Sequence, residues 1–541
     1  MTESSFQRLG PAPDTEITVD GRRVPARLGE TVAAAMLAGG SCNVLCSVGR
    51  CYQCVATIDG VPDRRTCRTP VRPGMRVTSG IAADFVRGAE RRVQIDCGEV
   101  VVIGAGPAGA ACALALAAEG VATTLLDDSE AAGGQVWRKP AGIDAGSGAW
   151  LRARVAKAKH LDHRAGVEVL DLRDGREVWA LDGRGHGHIL RPRAIVMASG
   201  AIERNVALPG WNLPGVLNLG GLQALAKGQG IVPGVPVLLA GCGPLLYLVA
   251  DEMRAAGVTI AAVVDASDFP SLPVLVSLAK APGLATRALG FEWRLRRAGI
   301  PVLRGHKVSR IEGDGIVRQA KVVPVAGPGP TRSFAVGVVG LGFGLRPDIE
   351  LAQVAGAALG HDPALGGWHA VVDGGCATSI DGLYAIGEAC GVRGVEAALC
   401  DATIAAEAIV GHLGRAPSPE LRAAVRAART RRMKFVRAAR ALGAWARVPE
   451  SGAEADTIVC RCENVARRDL DAALSLDLGS PAAIKLATRI GMGLCQGRVC
   501  ASVVAAAHGQ ADGPPRARFP LRPCPADAFA PDVPVAGFVR G

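Results

Sequence analysis

The chain is poor in aromatic residues: they make up 4% of 541 positions, and only three are Tyr. Single-strand nucleic-acid binding needs aromatic stacking faces. The basic balance, 61 Lys plus Arg against 50 Asp plus Glu, therefore does not point to a nucleic-acid partner. Long apolar runs are also missing. The longest, near Val235–Ala250, is interrupted by Gly and Pro and is too short to span a bilayer. The opening residues, MTESSFQRLGPAPDTE, lack the basic and apolar regions of a signal peptide. The expectation is a soluble cytoplasmic protein with no membrane span, peripheral at the inner membrane only through partners. His160, His163, His186 and His188 stand in polar, Arg- or Gly-rich surroundings and read as surface or loop residues. No pairing of residues reads as a nucleophile with its base, so the catalytic residues are unassigned.

What is present is a globular composition, 49% apolar and 21% charged, long enough for three or four domains. Sixteen cysteines are too sparse to staple a small disulfide domain, yet eight fall in two windows, 46–67 and 460–500. Residues 1–95 form a first unit. ITVDGRRVPA reads as strand–turn–strand with Asp20-Gly21 at the turn, and GETVAAAMLAGG as a short helix closed by Gly39-Gly40. Residues 96–415 read as an α/β unit, with a second nucleotide-binding fold at about 232–345. Residues 416–455 are an Arg-rich linker helix within a basic run from Arg415 to Arg447. It reads as a solvated face or as a docking surface for a partner or a flavin phosphate. Residues 456–510 hold the second cysteine group, and 511–541 form a Pro-rich tail, read as an extended strap.

The first group is Cys46, Cys51, Cys54 and Cys67. The spacing C-x4-C-x2-C with a distant fourth Cys is the plant-type [2Fe–2S] pattern. Gly49 lets the backbone come close, and Arg50, Arg64, Arg65 and Arg68 can offset an anionic cluster. Zinc competes for such residues but favours paired C-x2-C knuckles, of which only Cys51 and Cys54 form one. Cys42 fits no ligand position and reads as a packed or free thiol. In the second group, Cys460 and Cys462 form CRC, and Cys495 and Cys500 close CQGRVC. Two short helices near RRDLDAALSL and PAAIKLATRIGMG would bring its ends together, with Gly491 and Gly493 in a tight loop. Zinc remains the alternative there too.

Gly104, Gly106 and Gly109 make GxGxxG between the strand EVVVI and an Ala-rich helix, with Pro107 and Ala108 opening that helix. Gly104 turns tightly, and Gly106 admits a pyrophosphate to the helix N-terminus. Asp127, with Asp128 beside it, closes the next strand and can bind a ribose. Gly134 and Gln135 follow. Ala198, Ser199 and Gly200, and later Gly387 and Glu388, resemble the remaining flavin-contacting segments of two-domain flavoproteins. These residues predict FAD or another adenine nucleotide. The second fold offers Gly241 and Gly243, with Leu246 in place of a third glycine and Asp265 at the next strand end. It reads as either an NAD site or a scaffold. Between Gly98 and Glu388 the cysteines are Cys112, Cys242 and Cys376, none paired as a dithiol relay. Electrons reaching a flavin here need another exit.

The order cluster, flavin fold, cluster resembles the α subunits of heteromeric bacterial opine oxidases, hydrogen cyanide synthases and D-hydroxyproline dehydrogenases, and more distantly the sarcosine oxidase α subunit. The C-x-C…C-x4-C group resembles the small bacterioferritin-associated-ferredoxin-like (BFD-like) [2Fe–2S] domain, with a wider closing spacing than its usual C-x2-C. The first unit resembles the family's small ferredoxin-like subunit fused to the N-terminus. The fold implied is α/β: a two-dinucleotide-domain flavoprotein of glutathione-reductase type, flanked by a β-grasp [2Fe–2S] domain and a helical BFD-like one. The resemblance further implies FAD, two [2Fe–2S] clusters and an FMN at a subunit interface. It implies an FAD-containing catalytic β subunit of the D-amino-acid-oxidase-like class, and an external acceptor such as a quinone, cytochrome or ferredoxin. Two alternatives stand beside it: a self-contained NAD(P)H-dependent reductase of a ferredoxin or oxygenase, and a non-enzymatic iron–sulfur scaffold.

Overall fold

The computed structural model describes residues 4–40, 44–80, 93–96, 98–138, 148–174, 176–183, 185–268, 274, 276, 282–446, 448–449, 451–476, 481–508, 517–524 and 528–529. Cys42 lies outside them.

The N-terminal unit is a five-stranded sheet in the order Arg22–Ala26, Thr15–Val19, Arg76–Ser79, Val55–Ile58, Val61–Arg65. The helix Val32–Ala38, capped by the Thr31 hydroxyl on the Ala34 amide, lies against it. Alternation along the strands turns Ile17, Val19, Val24 and Ala26 inward onto Val32, Ala35 and Met36. This is a β-grasp arrangement. The short strand Phe6–Arg8 leaves the unit and pairs antiparallel with Ile231–Pro233 of the second nucleotide fold.

The first nucleotide fold is a parallel sheet ordered Leu161–Ala165, Thr123–Asp127, Val100–Ile103, Ala194–Met197, Leu383–Ala385. VVVI at its centre is buried throughout, as a strand covered on both faces must be. Helices Pro107–Ala118 and Val395–His412 cover one face. The second fold is likewise parallel, ordered Val216–Asn218, Val338–Gly342, Val237–Gly241, Ile260–Asp265, Val302–Arg304. Its strand Val216–Asn218 and helix Leu219–Gln229 lie ahead of residue 232, so the unit begins earlier than the glycine motif alone suggests.

The Arg-rich segment is one helix, Pro419–Trp445. One stripe of it packs inward: Leu421, Val425, Ala428 and Ala438 are buried, and Arg432 meets Asp401 of the neighbouring helix at 2.7 Å, while Arg429 and Arg440 stay exposed. In the C-terminal unit, helices Arg467–Leu474 and Pro481–Thr488 stand between the strand Ile458–Cys460 and the turn that carries Cys495 and Cys500. The described part of the tail is tucked in. Leu521 donates its amide to the Leu170 carbonyl, and Arg522 is 6% exposed.

Candidate functional site

The strand–turn–helix after Val100–Ile103 forms a cradle by close approach. Gly104 sits at φ +103°, and a Cβ there would lie 2.4 Å from the Ala198 carbonyl oxygen. A Cβ on Gly109 would lie 1.8 Å from the Gly104 oxygen, so helix and turn touch only because both are glycine. Gly106, the N-cap of helix Pro107–Ala118, faces open space instead. Gly134, at φ +58°, lays its backbone against Gly106. The unsatisfied amides of the helix start therefore point into a cavity of about 390 Å³, within the range of ligand sites.

Gly104, Gly106, Pro107, Asp127, Asp128, Gly134, Gln135, Ala198, Ser199, Gly200 and Glu388 all line this cavity. Ala108 and Gly109 lie beneath it, and Gly387 packs on Ala108 rather than facing the cavity. The Gly387 amide donates to Asp401, which Arg393 also holds at 2.6 Å. Asp127 has a different task from the one its position suggests. Its carboxylate accepts from the Ala105 amide at 2.5 Å and the Ser129 amide at 2.6 Å, bracing the glycine turn. Asp128 is the more accessible carboxylate, paired with Arg68 at 2.9 Å. Burial opposes its charge, but Arg68, Arg50 and Arg65 hold its carboxyl well below the usual range.

The walls of the cavity come from distant parts of the chain. Leu45, Cys46, Arg50 and Cys51 form one side, and Arg498 and Val499 of the second cysteine turn form another, with Leu521 and Arg522 from the tail. A chain of ion pairs binds these walls together. Arg50 meets Asp348 at 3.1 Å, Arg65 meets Glu168 at 2.8 Å, and Arg522 meets Glu168 at 3.4 Å and Glu350 at 2.6 Å. Arg498 meets Glu350 at 2.7 Å. Against the cost of burial, Arg522, Arg498 and Arg50 hold the Glu350 carboxyl down to about 2. The arginines around the first cysteine group thus pair with acids of the flavin fold; Arg64 instead turns outward to the Gly183 carbonyl. Glu203, also on the cavity wall, is pushed up to about 7 by burial.

Cys46, Cys51, Cys54 and Cys67 are all buried. Ser47, Gly49 and Tyr52 have φ of +51°, +78° and +55°, which coils the loop tightly. The Arg50 and Cys51 amides then donate to Cys46 Sγ at 3.3 and 3.4 Å. Hydrogen bonding from Cys51 lowers the Cys46 thiol to about 6, and bonding from Cys67 lowers Cys54, while Cys51 and Cys67 are raised. Cys46 and Cys51 pack in one buried cluster and Cys54 and Cys67 in another, so the four fall into two pairs. Among the described residues no three acidic, His or Cys side chains converge as the shell of one ion. Two thiolates on each of two irons is the arrangement of a [2Fe–2S] cluster, and the donor set fits it.

In the second group three of the sulfurs adjoin in series. Cys460 and Cys462 lie 3.8 Å apart, and Cys462 and Cys495 3.6 Å apart. A Cβ on Gly493 would lie 2.5 Å from Cys462 Sγ, so only glycine leaves that sulfur its place. Cys460, Cys495 and Cys500 are buried, but Cys462 is exposed.

Of the expected residues of the second nucleotide fold, Gly241 and Asp265 are engaged by the protein itself. Gly241, at φ +153°, approaches Gly342, where a Cβ would lie 1.7 Å from its oxygen. A Cβ on Gly243 would lie 3.5 Å from the Ala446 Cβ. Asp265, read as a ribose ligand, is fully buried. It accepts from the Tyr247 hydroxyl at 2.6 Å and the Ser267 amide at 2.9 Å, with Arg304 at 3.5 Å. Trp445 donates to the Asp268 carbonyl at 2.9 Å, closing the strand ends. The carboxylate is thus directed inward because a tyrosine from the helix after Gly243 satisfies it.

Sequence reading did not find Glu168, Glu203, Asp348, Glu350 or Arg522, which carry no motif. Arg461 and Arg498 sit inside the CRC and CQGRVC runs and could have been found as the charged residues between ligand cysteines.

The profile of the pyridine nucleotide-disulphide oxidoreductase family matches residues 98–408, and that of a 2Fe-2S iron-sulfur cluster binding domain matches residues 12–80. The chain is 35% identical over 463 residues to hydrogen cyanide synthase subunit HcnB of Pseudomonas aeruginosa, covering 79% of this chain and 97% of that one. It is 33% identical to an opine oxidase subunit of Rhizobium meliloti, covering 79% and 96%. The L-proline dehydrogenase structure from P. horikoshii shares the fold, with a TM-score of 0.68 at 20% identity over 96% of this chain and 97% of the other. Among the described residues no helix is long and apolar enough to cross a membrane.

Proposed function

The chain belongs to the pyridine nucleotide-disulphide oxidoreductase family, and from that premise we propose that it is the electron-transferring subunit of a cytoplasmic amino-acid dehydrogenase or oxidase complex. The substrate class is an opine, D-amino acid, hydroxyproline or glycine, oxidised at its C–N bond on a separate FAD-containing, D-amino-acid-oxidase-like chain. The similar proteins are themselves named as subunits.

The observation that carries this reading is the shared cavity. Its floor is the glycine cradle, and its walls come from both cysteine groups. A flavin held there supplies the conversion of a two-electron hydride into single electrons. Gly106 and the helix N-terminus receive the pyrophosphate, and Asp128 with Arg68 sits at the ribose end. Cys46, Cys51, Cys54 and Cys67 hold one [2Fe–2S] cluster, and Cys460, Cys462, Cys495 and Cys500 a second. Burial of the first four and exposure of Cys462 support an exit through the second group to a quinone, cytochrome or ferredoxin. An FMN at the interface with the partner belongs to the same reading. The burial of Asp265 favours a scaffold role for the second nucleotide fold over an NAD site.

Anaerobic titration of the isolated chain tests this. Flavin and cluster absorption should persist on adding NADH, and should bleach on adding the catalytic partner with its amino-acid substrate. Rapid bleaching by NADH alone would overturn the reading in favour of a self-contained reductase.

A further inference from the structure

Several arginines near the two cysteine groups are neutralised. Arg50, Arg65, Arg68 and Arg498 each pair with an acid of the flavin fold. Arg461, between Cys460 and Cys462, makes no such pair among the described residues. Its Nε and Nη1 are shielded from water and have no hydrogen-bond partner there, while Nη2 donates weakly to the Asn212 carbonyl at 3.4 Å. Its guanidinium lies over the Trp211 ring, 5.1 Å from the centroid. A guanidinium with two of its three nitrogens shielded from water and no carboxylate beside it is unfavourable, so this placement calls for negative charge nearby.

The surroundings say where that charge lies. Trp211 belongs to the segment that touches both cysteine groups. At one end Asn218 donates its amide to the Leu45 carbonyl beside Cys46; at the other, Trp211 Nε1 donates to the Ile458 carbonyl at 2.6 Å. Cys46, Cys51, Trp211, Cys460, Cys495 and Cys500 fall in one continuous buried cluster.

We propose that Arg461 is a charge bridge between the two cages: stacked on Trp211 in the wall they share, its fixed positive charge faces both. The proposal rests on the reading above that both cysteine sets hold [2Fe–2S] clusters. Each cluster is anionic, and one electron makes it more so. A cation between them stabilises the reduced form of each and weakens their mutual repulsion. When one electron leaves the first cage and enters the second, one iron is oxidised there and one reduced here. No proton or bond is involved, and the bridge attracts the moved charge from either side.

The test is a potentiometric titration of the full chain followed by electron paramagnetic resonance. Arg461→Gln should shift the midpoints of both clusters to more negative potential with iron content unchanged, and Arg461→Lys should restore most of the shift. A shift of the second cluster alone, or of neither, overturns the bridge. Should Arg461→Gln lose its second cluster, the wild-type chain decides. With both cages reduced, its signals should broaden through spin coupling absent when one cage is reduced, and unbroadened signals overturn the proposal. Wild-type iron near two rather than about four per chain would instead sink the two-cluster reading itself.

Discussion

In the first nucleotide fold a Cβ built on Gly106 meets nothing within 4 Å, whereas in the second the one built on Gly243 meets Ala446. The acids that close the second strands differ in the same sense. Asp127 and Asp128 line the large cavity, while Asp265 is sealed beneath Tyr247 and beside Arg304. Both folds use the same strand, glycine turn and helix, and both need glycine where backbones touch. What separates them is what lies over the turn. The end of the long Arg-rich helix, Trp445, closes the second, and the two cysteine loops wall the first without filling it. The difference teaches that a glycine turn states how a helix starts, and that only its cover decides whether the start is available to a ligand.

Three substitutions probe that contrast. Gly106→Val projects a side chain into the first fold from a position where a Cβ meets nothing within 4 Å. The purified chain should lose flavin at least about tenfold, equivalent to about 1.4 kcal/mol or more of binding, while its iron content and circular dichroism stay unchanged. Retained flavin would mean that the first turn is no more a site than the second. Asp265→Asn should behave in the opposite way. It weakens a buried bond to a charged acceptor, so stability should fall by about 1.5–3 kcal/mol in denaturant titration, with flavin content intact. Loss of nucleotide there would erase the contrast.

The third substitution concerns Glu350, which ties the first fold to the second cysteine turn. Its folded-state pKa lies at about 2, below the ordinary 4.5. A depressed carboxylate stabilises the fold above its unfolded-state pKa and loses that contribution as pH falls through the folded value. The difference in melting temperature between wild type and Glu350→Gln should therefore be full at pH 6 and narrow steadily below about 4.5. A gap that widened in acid would contradict the ion pairs with Arg498 and Arg522.

The parts of the molecule readable from sequence are those whose chemistry is local. The glycine turn and the buried VVVI strand each declare themselves within a dozen residues, and the cysteine spacings within runs of 22 and 41. The orientation of Asp265 does not, because Tyr247 and Arg304, which bind it, arrive from other elements. Nor does the buried face of the Arg-rich helix, whose Arg432 is held by Asp401 of another helix. The cavity walls are the extreme case: Arg50, Glu168, Glu350, Arg498 and Arg522 meet across most of the chain's length, and no window of sequence contains them together.

The three-residue strand Phe6–Arg8, laid along Ile231–Pro233, has a consequence for how the protein works at low concentration. A free ferredoxin must find its flavoprotein by diffusion, and its visits thin out as the cell dilutes it. On the proposed reading, a carrier hydrogen-bonded by this strand to the second nucleotide fold of its own chain is always in attendance. Its supply of electrons should be indifferent to dilution and insensitive to the salt that disperses encounter complexes.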